Sequence, residues 1–515
     1  MIINISSAKC VGINAVAVTV EIDISPGIGL HLVGLADAAV KESLLRTVTA
    51  MQAVGFRVPG KKIVINLAPA NMHKRGSGYD LPIALGIIAA SGQLELPYLD
   101  DFLLLGELGL DASLRHVSGT LAAAELARKL GKKGCIFPLE SAPEAAIFPD
   151  LRVYGASNLL DVIKILRSQE DASDYLVHSC AYMEISDYEQ KDYMDFSEIY
   201  GQEVAKRGLE IAAAGGHNVI MIGAPGSGKT SLARALAGIL PPMDLEEAMM
   251  VSKIYSAAGK RISGTGLMRI RPFRAPHYSA SLPAIIGGGN GENVLPGEVS
   301  LAHGGVLFLD EFAQMPKSVT EALRVPIEDR RVVISRLHSK IEYPSSFILV
   351  AASNPCPCGY YGEKDRCTCT PGQRLGYISR LSGPIMDRID LQIWVHPVKT
   401  GTLLDGYRQK EKAESSASIR ERVVEARRRQ RARFGDSTTN AEMNSRQLQL
   451  YCHLSSECET LLERVINSLG LSARAFSRII RISRTIADLE GDGTIQERHI
   501  LEAVSFRFLD RKDVL

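Results

Sequence analysis

The run NVIMIGAPGSGKT, residues 218–230, limits what this chain can fold into more than any other feature. An apolar stretch with strand character leads into Gly223-x-x-x-x-Gly228-Lys229-Thr230, and the helical SLARALAGIL follows. Strand, glycine-rich loop and helix in this order make a phosphate-binding loop. Across Gly223, Ala224, Pro225, Gly226, Ser227 and Gly228 the backbone can close around phosphates. Lys229 can reach the β- and γ-phosphates and Thr230 can bind Mg²⁺. The helix N-terminus faces the negative charge. The plainer alternative is a glycine-rich turn before an ordinary helix, and the complete motif in its full context argues against it. The motif predicts ATP with Mg²⁺.

Two later strands supply matching chemistry. GGVLFLDEF (304–312) is an apolar run ending in two carboxylates. At the carboxyl edge of a sheet, Asp310 can hold the water shell of Mg²⁺ and Glu311 can polarise the attacking water. FILVAASNP (347–355) ends in Asn354, whose amide could orient that water or sense the γ-phosphate. Arg388 in SRLSGPIMDRIDL and Arg474 in LSARAFSRI are candidates to stabilise transition-state charge. Taken alone, each arginine reads as a surface ion-pair partner.

The chain has 515 residues, and about 150 residues per domain suggests three units. Residues 1–167 alternate strands and helices: 16–24 and 62–69 read as strands, 37–55 and 80–92 as helices. Residues 168–196 are acidic and aperiodic, a linker. Residues 197–398 alternate again, which predicts a parallel α/β core. Residues 399–515 read as a helical lid, including a basic helix at 419–435 whose charges suit a solvated face. The fold class is α/β.

With 59 Lys+Arg against 58 Asp+Glu the net charge is +1, so any nucleic-acid contact must be made by local loops. The apolar stretch 81–90 is too short to cross a bilayer. The start MIINISSAKC lacks a positive n-region and a cleavage site, which predicts a cytoplasmic protein without a signal peptide. Nine cysteines are too few for a disulfide scaffold. Four of them, Cys356, Cys358, Cys367 and Cys369, cluster in one loop (356–369) and could complete a structural Zn²⁺ site. C-x-C is less typical of zinc than C-x₂-C, and a reduced, metal-free loop is the alternative.

The phrases GLADAAVKES, INLAPANMHKRGSGYDLPIALGIIAASG, GQEVAKRGLEIAAAGGHNVIMIGAPGSGKT, FRAPHYSAS, PGEVSLAHGGVLFLDE, NPCPCGYYG and LSGPIMDRIDL resemble the magnesium-chelatase-like AAA+ ATPases of the ComM/YifB family. The resemblance covers essentially the whole chain. It implies a homo-hexameric ring on single-stranded or branched DNA, driving branch migration in recombination and natural transformation, with recombination proteins as partners. It makes Arg388 the finger offered to a neighbouring subunit, Arg474 the lid sensor, and Tyr200-Gly201-Gln202 a neighbour of adenine. In the related clade, inserts at 264–301 and 330–344 project into the ring pore. Arg336, His338 and Lys340 near the second tip could then contact phosphates. An ordinary surface hairpin with solvated charges is the alternative there. A chelatase-type motor that remodels a protein partner for metal insertion is the alternative function.

The 1–167 region resembles the proteolytic domain of Lon proteases. Lon chemistry needs a Ser nucleophile and a Lys. Here Gly78 stands at the nucleophile position, with Ser77 one place away, and Leu121 stands at the Lys position. The expectation is a domain without proteolytic activity, serving ring assembly or DNA contact.

Overall fold

The computed structural model describes residues 2–35, 37–74, 76–168, 170–178, 193–260, 267–290, 293–336, 339–362, 366–381, 383–398, 401 and 414–510. The chain divides into two compact units: Met1–Ile185 with Leu245–Met268, and Ser186–Asp244 with Arg269–Leu515. Of the stretch read as a linker, 169 and 179–192 lie outside the described residues.

In the first unit, β1 (Ile3–Val11) and β2 (Asn14–Ser25) pair antiparallel, with Ile5 opposite Val20. Val18, Val20 and Ile22, two apart along β2, all point into the core, as a half-buried strand requires. With β3 (Gly29–Val33), β4 (Lys62–Ala68), β5 (Phe102–Leu104), β8 (Gly134–Pro138) and β9 (Arg152–Ala156) they form a mixed sheet ordered β3-β4-β2-β1-β5-β8-β9. A small ribbon of β6 (Glu107–Leu108) and β7 (Leu114–Arg115) lies apart from it. Helix Ala38–Ala53 starts at Asp37, whose carboxylate accepts the Val40 N–H at 2.9 Å, a side-chain N-cap. Helix Asp80–Ala90 is buried from Asp80 through Ile88, so its apolar sequence covers the sheet rather than meeting solvent.

Helix Leu245–Ala257 follows the P-loop helix in sequence, inside the stretch read as ATPase core, yet it packs in the first unit. Lys253 reaches the Glu125 carboxylate at 2.5 Å, and Ser256 Oγ donates to Glu144 at 3.0 Å while accepting the Gly119 N–H at 2.9 Å. Ser77 Oγ donates to the Glu107 carboxylate, and Leu121 is buried at the start of helix Thr120–Lys129.

The second unit is built on β10 (Val219–Gly223), β11 (Phe273–Arg274), β14 (Val306–Leu309), β17 (Ile348–Ser353) and β18 (Leu391–Val395). All pair parallel, in the order β11-β14-β17-β10-β18. VIMIG, VLFL and ILVAAS are buried along their whole length, the pattern of parallel strands covered on both faces. Two hairpins leave this sheet, β12 (Gly287–Asn290) with β13 (Asn293–Pro296) and β15 (Arg331–Arg336) with β16 (Ser339–Pro344). Tyr343, fully buried, donates its hydroxyl to Val294 O at 2.7 Å and ties the hairpins together.

The C-terminal part is helical, with Ser416–Phe434, Ser456–Leu469, Ala473–Glu490 and Glu497–Ser505 as its main elements. The basic helix Ser416–Phe434 keeps the expected solvated face at Arg428 and Arg431, while other arginines along it are tied to the rest of the unit. Arg420 donates to Gly238 O and Arg427 to Ala213 O, both in the last turns of other helices, and Arg433 pairs with Asp488 at 2.5 Å. Cations there meet the negative ends of helix dipoles. Among the described residues, no helix is long and apolar enough to cross a membrane.

Candidate functional site

Register places the motif residues. Ile222 pairs with Ser353 and Leu309 with Ala351, so Gly223, Asp310 and Asn354 leave neighbouring strands at one carboxyl edge. This is the edge where open parallel sheets bind ligands. Gly223 must be glycine because a Cβ there would lie 2.3 Å from Val395 O. Gly226 and Gly228 hold φ of +75° and +93°, which curls the loop back before helix Lys229–Ile239 begins.

Within this loop Lys229 is buried and donates to Gly223 O at 2.7 Å and Ala224 O at 2.9 Å. Burial pushes its ammonium pKa down, and the Asp310 charge opposes that. Ser227 Oγ is buried with no hydrogen-bond partner among the described residues. The Thr230 hydroxyl points to Asp310 Oδ2 at 3.4 Å, and Asp310 Oδ1 accepts the Glu311 N–H at 2.8 Å. Glu311 sits at φ +49°, a strained conformation for a non-glycine residue, which turns the chain sharply after Asp310. The orphaned serine, the buried lysine and the pair of hard oxygen donors fit a magnesium nucleotide. Gln202 fixes the loop from behind, donating through Nε2 to Ser227 O (3.2 Å) and His396 O (2.5 Å).

Arg388 lies elsewhere. Asn218, at the start of β10, donates to Arg388 O at 3.1 Å, so Arg388 belongs to the amino edge of the sheet. Its guanidinium donates to Pro384 O (2.7 Å) and to the Glu328 carboxylate. Arg474 is at the same edge, paired with Asp387 at 2.7 Å. The five residues of β10, at about 3.3 Å each, put roughly 15 Å of strand between these arginines and the phosphate loop. Lys229, Asp310, Glu311 and Asn354 are thus brought together, and Arg388 and Arg474 are gathered apart from them.

On the second hairpin, Arg336 pairs with Ser339 through the backbone and Lys340 is exposed next to the turn. His338 lies outside the described residues, as does the Arg336 side chain. In the cysteine loop, the sulfurs of Cys356, Cys358, Cys367 and Cys369 all lie within 4.8 Å of one another. Burial pushes the Cys356 thiol up, whereas the Tyr360 N–H pulls the Cys358 thiol down.

The magnesium chelatase family supplies the matching sequence models. Its subunit ChlI matches residues 195–403, the ChlI subunit model matches 20–141, and the ChlI C-terminal model matches 413–507. Competence protein ComM of Haemophilus influenzae is 41% identical over 510 residues, covering 98% of this chain and 97% of its own. The chain belongs to the ComM/YifB family of magnesium-chelatase-like AAA+ proteins. YifB of Escherichia coli is 42% identical over 514 residues, with 98% and 97% covered. The DNA replication licensing factor Mcm6 of Drosophila melanogaster is 23% identical over 337 residues, 61% of this chain and 37% of its own. As a family member the chain is an AAA+ ATPase. Its parallel five-stranded sheet is the AAA+ element, flanked in sequence by a mixed-sheet region and a helical one.

Two contributors to the ComM/YifB site escape motif reading. Tyr377, on helix Pro371–Ile378, is buried, and burial pushes its hydroxyl pKa up, with the nearby Glu311 carboxylate adding to that. Gly359 touches the phosphate loop at Pro225. A tyrosine on a short helix gives no signal of its own. A glycine directly after C-P-C is a hint of tight packing, but it does not name the neighbour.

Proposed function

We propose that this protein is a ring-shaped ATPase motor on DNA, of helicase or branch-migration type, serving recombination and competence. The observation that carries the reading is the division of the ATPase machinery between two edges of one sheet. Lys229 neutralises phosphate charge, Thr230 and Asp310 hold Mg²⁺, Glu311 polarises water and Asn354 orients it. When bound, Mg²⁺ would supply charge neutralisation on the phosphate oxygens. Arg388, set at the far edge from its own phosphate loop, suits a finger that serves a neighbour's nucleotide, and a closed homo-hexamer meets that need; Arg474, on the helical lid, is the sensor.

DNA as the track is supported by full-length likeness to a competence protein and partial likeness to a replication factor. It is supported also by the paired hairpins, with Lys340 exposed beside Arg336 at one turn. In this reading the N-terminal region is a Lon-protease-like domain without proteolytic function. The chelatase-type alternative draws on the family models. Turnover measured with and without single-stranded and four-way-junction DNA separates the two. A motor on DNA hydrolyses ATP faster with DNA, and Arg336→Ala with Lys340→Ala weakens that response and lowers its log–log salt slope by about 0.7 to 0.9 per lost contact. Turnover indifferent to saturating DNA would leave the chelatase-type motor standing.

A further inference from the structure

The loop leaving β17 has sulfur geometry that neither disulfides nor ordinary packing explain. Cys356 Sγ lies 3.3 Å from Cys358 Sγ and 3.8 Å from Cys367 Sγ, and Cys358 Sγ lies 3.7 Å from Cys367 Sγ. A disulfide would bring two sulfurs to about 2.05 Å. A tetrahedral Zn²⁺ with Zn–S of about 2.3 Å separates its sulfurs by about 3.8 Å. Cys356, Cys358 and Cys367 are therefore spaced close to what such an ion would need, and Cys369 Sγ lies within 4.8 Å of them. The turn itself is closed by the Gly359 N–H, which donates to Cys356 O at 3.0 Å. The aromatic residues between the two pairs are held by cations, with Arg366 4.2 Å over Tyr360 and Arg374 4.4 Å over Tyr361.

The position of the loop gives the cluster a task. Gly359 has φ +87°, and a Cβ there would lie 2.8 Å from Pro225 Cδ and 2.9 Å from Cγ. The Cys356–Cys358 turn thus lies against the phosphate loop itself. Beyond Cys369 the chain enters helix Pro371–Ile378 through a Thr370–Gln373 capping box, and that helix carries the buried Tyr377 within electrostatic reach of Glu311. One knuckle therefore connects the phosphate loop, the end of β17 and the side of the hydrolytic carboxylate.

We propose that Cys356, Cys358, Cys367 and Cys369 hold one structural zinc ion, and that this knuckle is the wall that seats Gly359 against Pro225, so that nucleotide affinity depends on the metal. The second half rests on the nucleotide reading above; the first half does not. All four positions are filled by sulfur, which leaves no open site for catalysis and makes the ion a brace.

The test uses the full chain. Elemental analysis of protein purified without chelator should find one zinc per chain; no metal, or iron in its place, overturns the site. Cys367→Ser with Cys369→Ser should be zinc-free and bind Mg-ADP at least about tenfold more weakly. Unchanged Mg-ADP affinity in the zinc-free protein overturns the coupling. If that variant fails to fold, Gly359→Ala decides, because it keeps all four thiols and presses on Pro225. It should retain zinc and lose about tenfold in Mg-ADP affinity. Retained zinc with wild-type affinity overturns the brace. Wild-type protein that carries zinc yet binds no Mg-ADP would defeat the nucleotide reading and the coupling together, and leave the metal site intact.

Discussion

At the scale of single residues, the proposed motor gives Lys229 and Glu311 separable tasks. Lys229 spends its hydrogen bonds on the loop's own carbonyls, Gly223 O and Ala224 O, and its amine is buried. Phosphate oxygens would replace those carbonyls with full charge, and charge-assisted bonds are about twice as strong as neutral ones. Lys229→Ala should therefore lose Mg-ATP binding. Glu311 holds no phosphate in this arrangement; its strained turn puts the carboxylate just past Asp310. Glu311→Gln should bind Mg-ATP as wild type does and hydrolyse it about 10² to 10⁴ times more slowly. Equilibrium binding beside phosphate release separates the two variants, and rapid turnover by Glu311→Gln would remove the water-polarising role. These residues were legible in the sequence because a phosphate loop is a local device, complete within eight positions. The Gly359–Pro225 contact was not legible, because 134 positions separate residues that meet only when β17 and β10 pair.

At the scale of elements, the parallel strands announced themselves as continuous apolar runs, and the main lid helix through its spacing. The basic helix was read only in part. Its arginines suggested a wet surface, because a sequence does not show that Gly238 O and Ala213 O end nearby helices and need donors. The joint between sheet and lid was equally hidden. Asp390, just before β18, faces His217 at 3.3 Å and Arg478 at 3.4 Å and accepts the Asn218 N–H at 3.2 Å. Burial pushes its carboxyl up, but the His217 hydrogen bond and charge, with Arg478 and Arg481, prevail and leave it below the usual carboxylate range. A carboxyl depressed in the folded state stabilises above its unfolded pKa, near 3.9, and that stability fades as pH falls through the folded value. Asp390→Asn leaves Arg478 buried and unpaired, which should cost about 3 kcal/mol at neutral pH. The deficit should shrink as both proteins are acidified below about pH 4. Denaturant melts at pH 7 and at pH 3 check both statements, and equal stability at pH 7 would remove Asp390 as the joint.

At the scale of the whole molecule, the proposed finger stands at the opposite edge of the sheet from its own phosphate loop. Arg388 lies at the amino edge of the sheet, roughly 15 Å of strand away from its own phosphate loop. Arg388 is meanwhile held by Glu328 and Pro384 O, contacts that a neighbour's phosphates could replace. If the finger acts between subunits, each active site is a shared property of two chains, and a heterologous closed ring follows. An arginine finger speeds phosphoryl transfer by about 10³ to 10⁵, so Arg388→Ala should bind ATP and barely hydrolyse it. Lys229→Ala should be inactive for the opposite reason, with an intact finger and no nucleotide. Mixed in one ring, the two variants create some interfaces where an intact loop faces an intact finger, and part of the ATPase activity should return. The mixture is assayed across a range of ratios, under conditions where labelled wild-type subunits exchange. Activity that peaks at intermediate ratios requires catalysis across the interface. Activity that stays at the floor at every ratio would rule out Arg388 as a finger in trans and turn attention to Arg380, eight positions earlier on the same approach to β18.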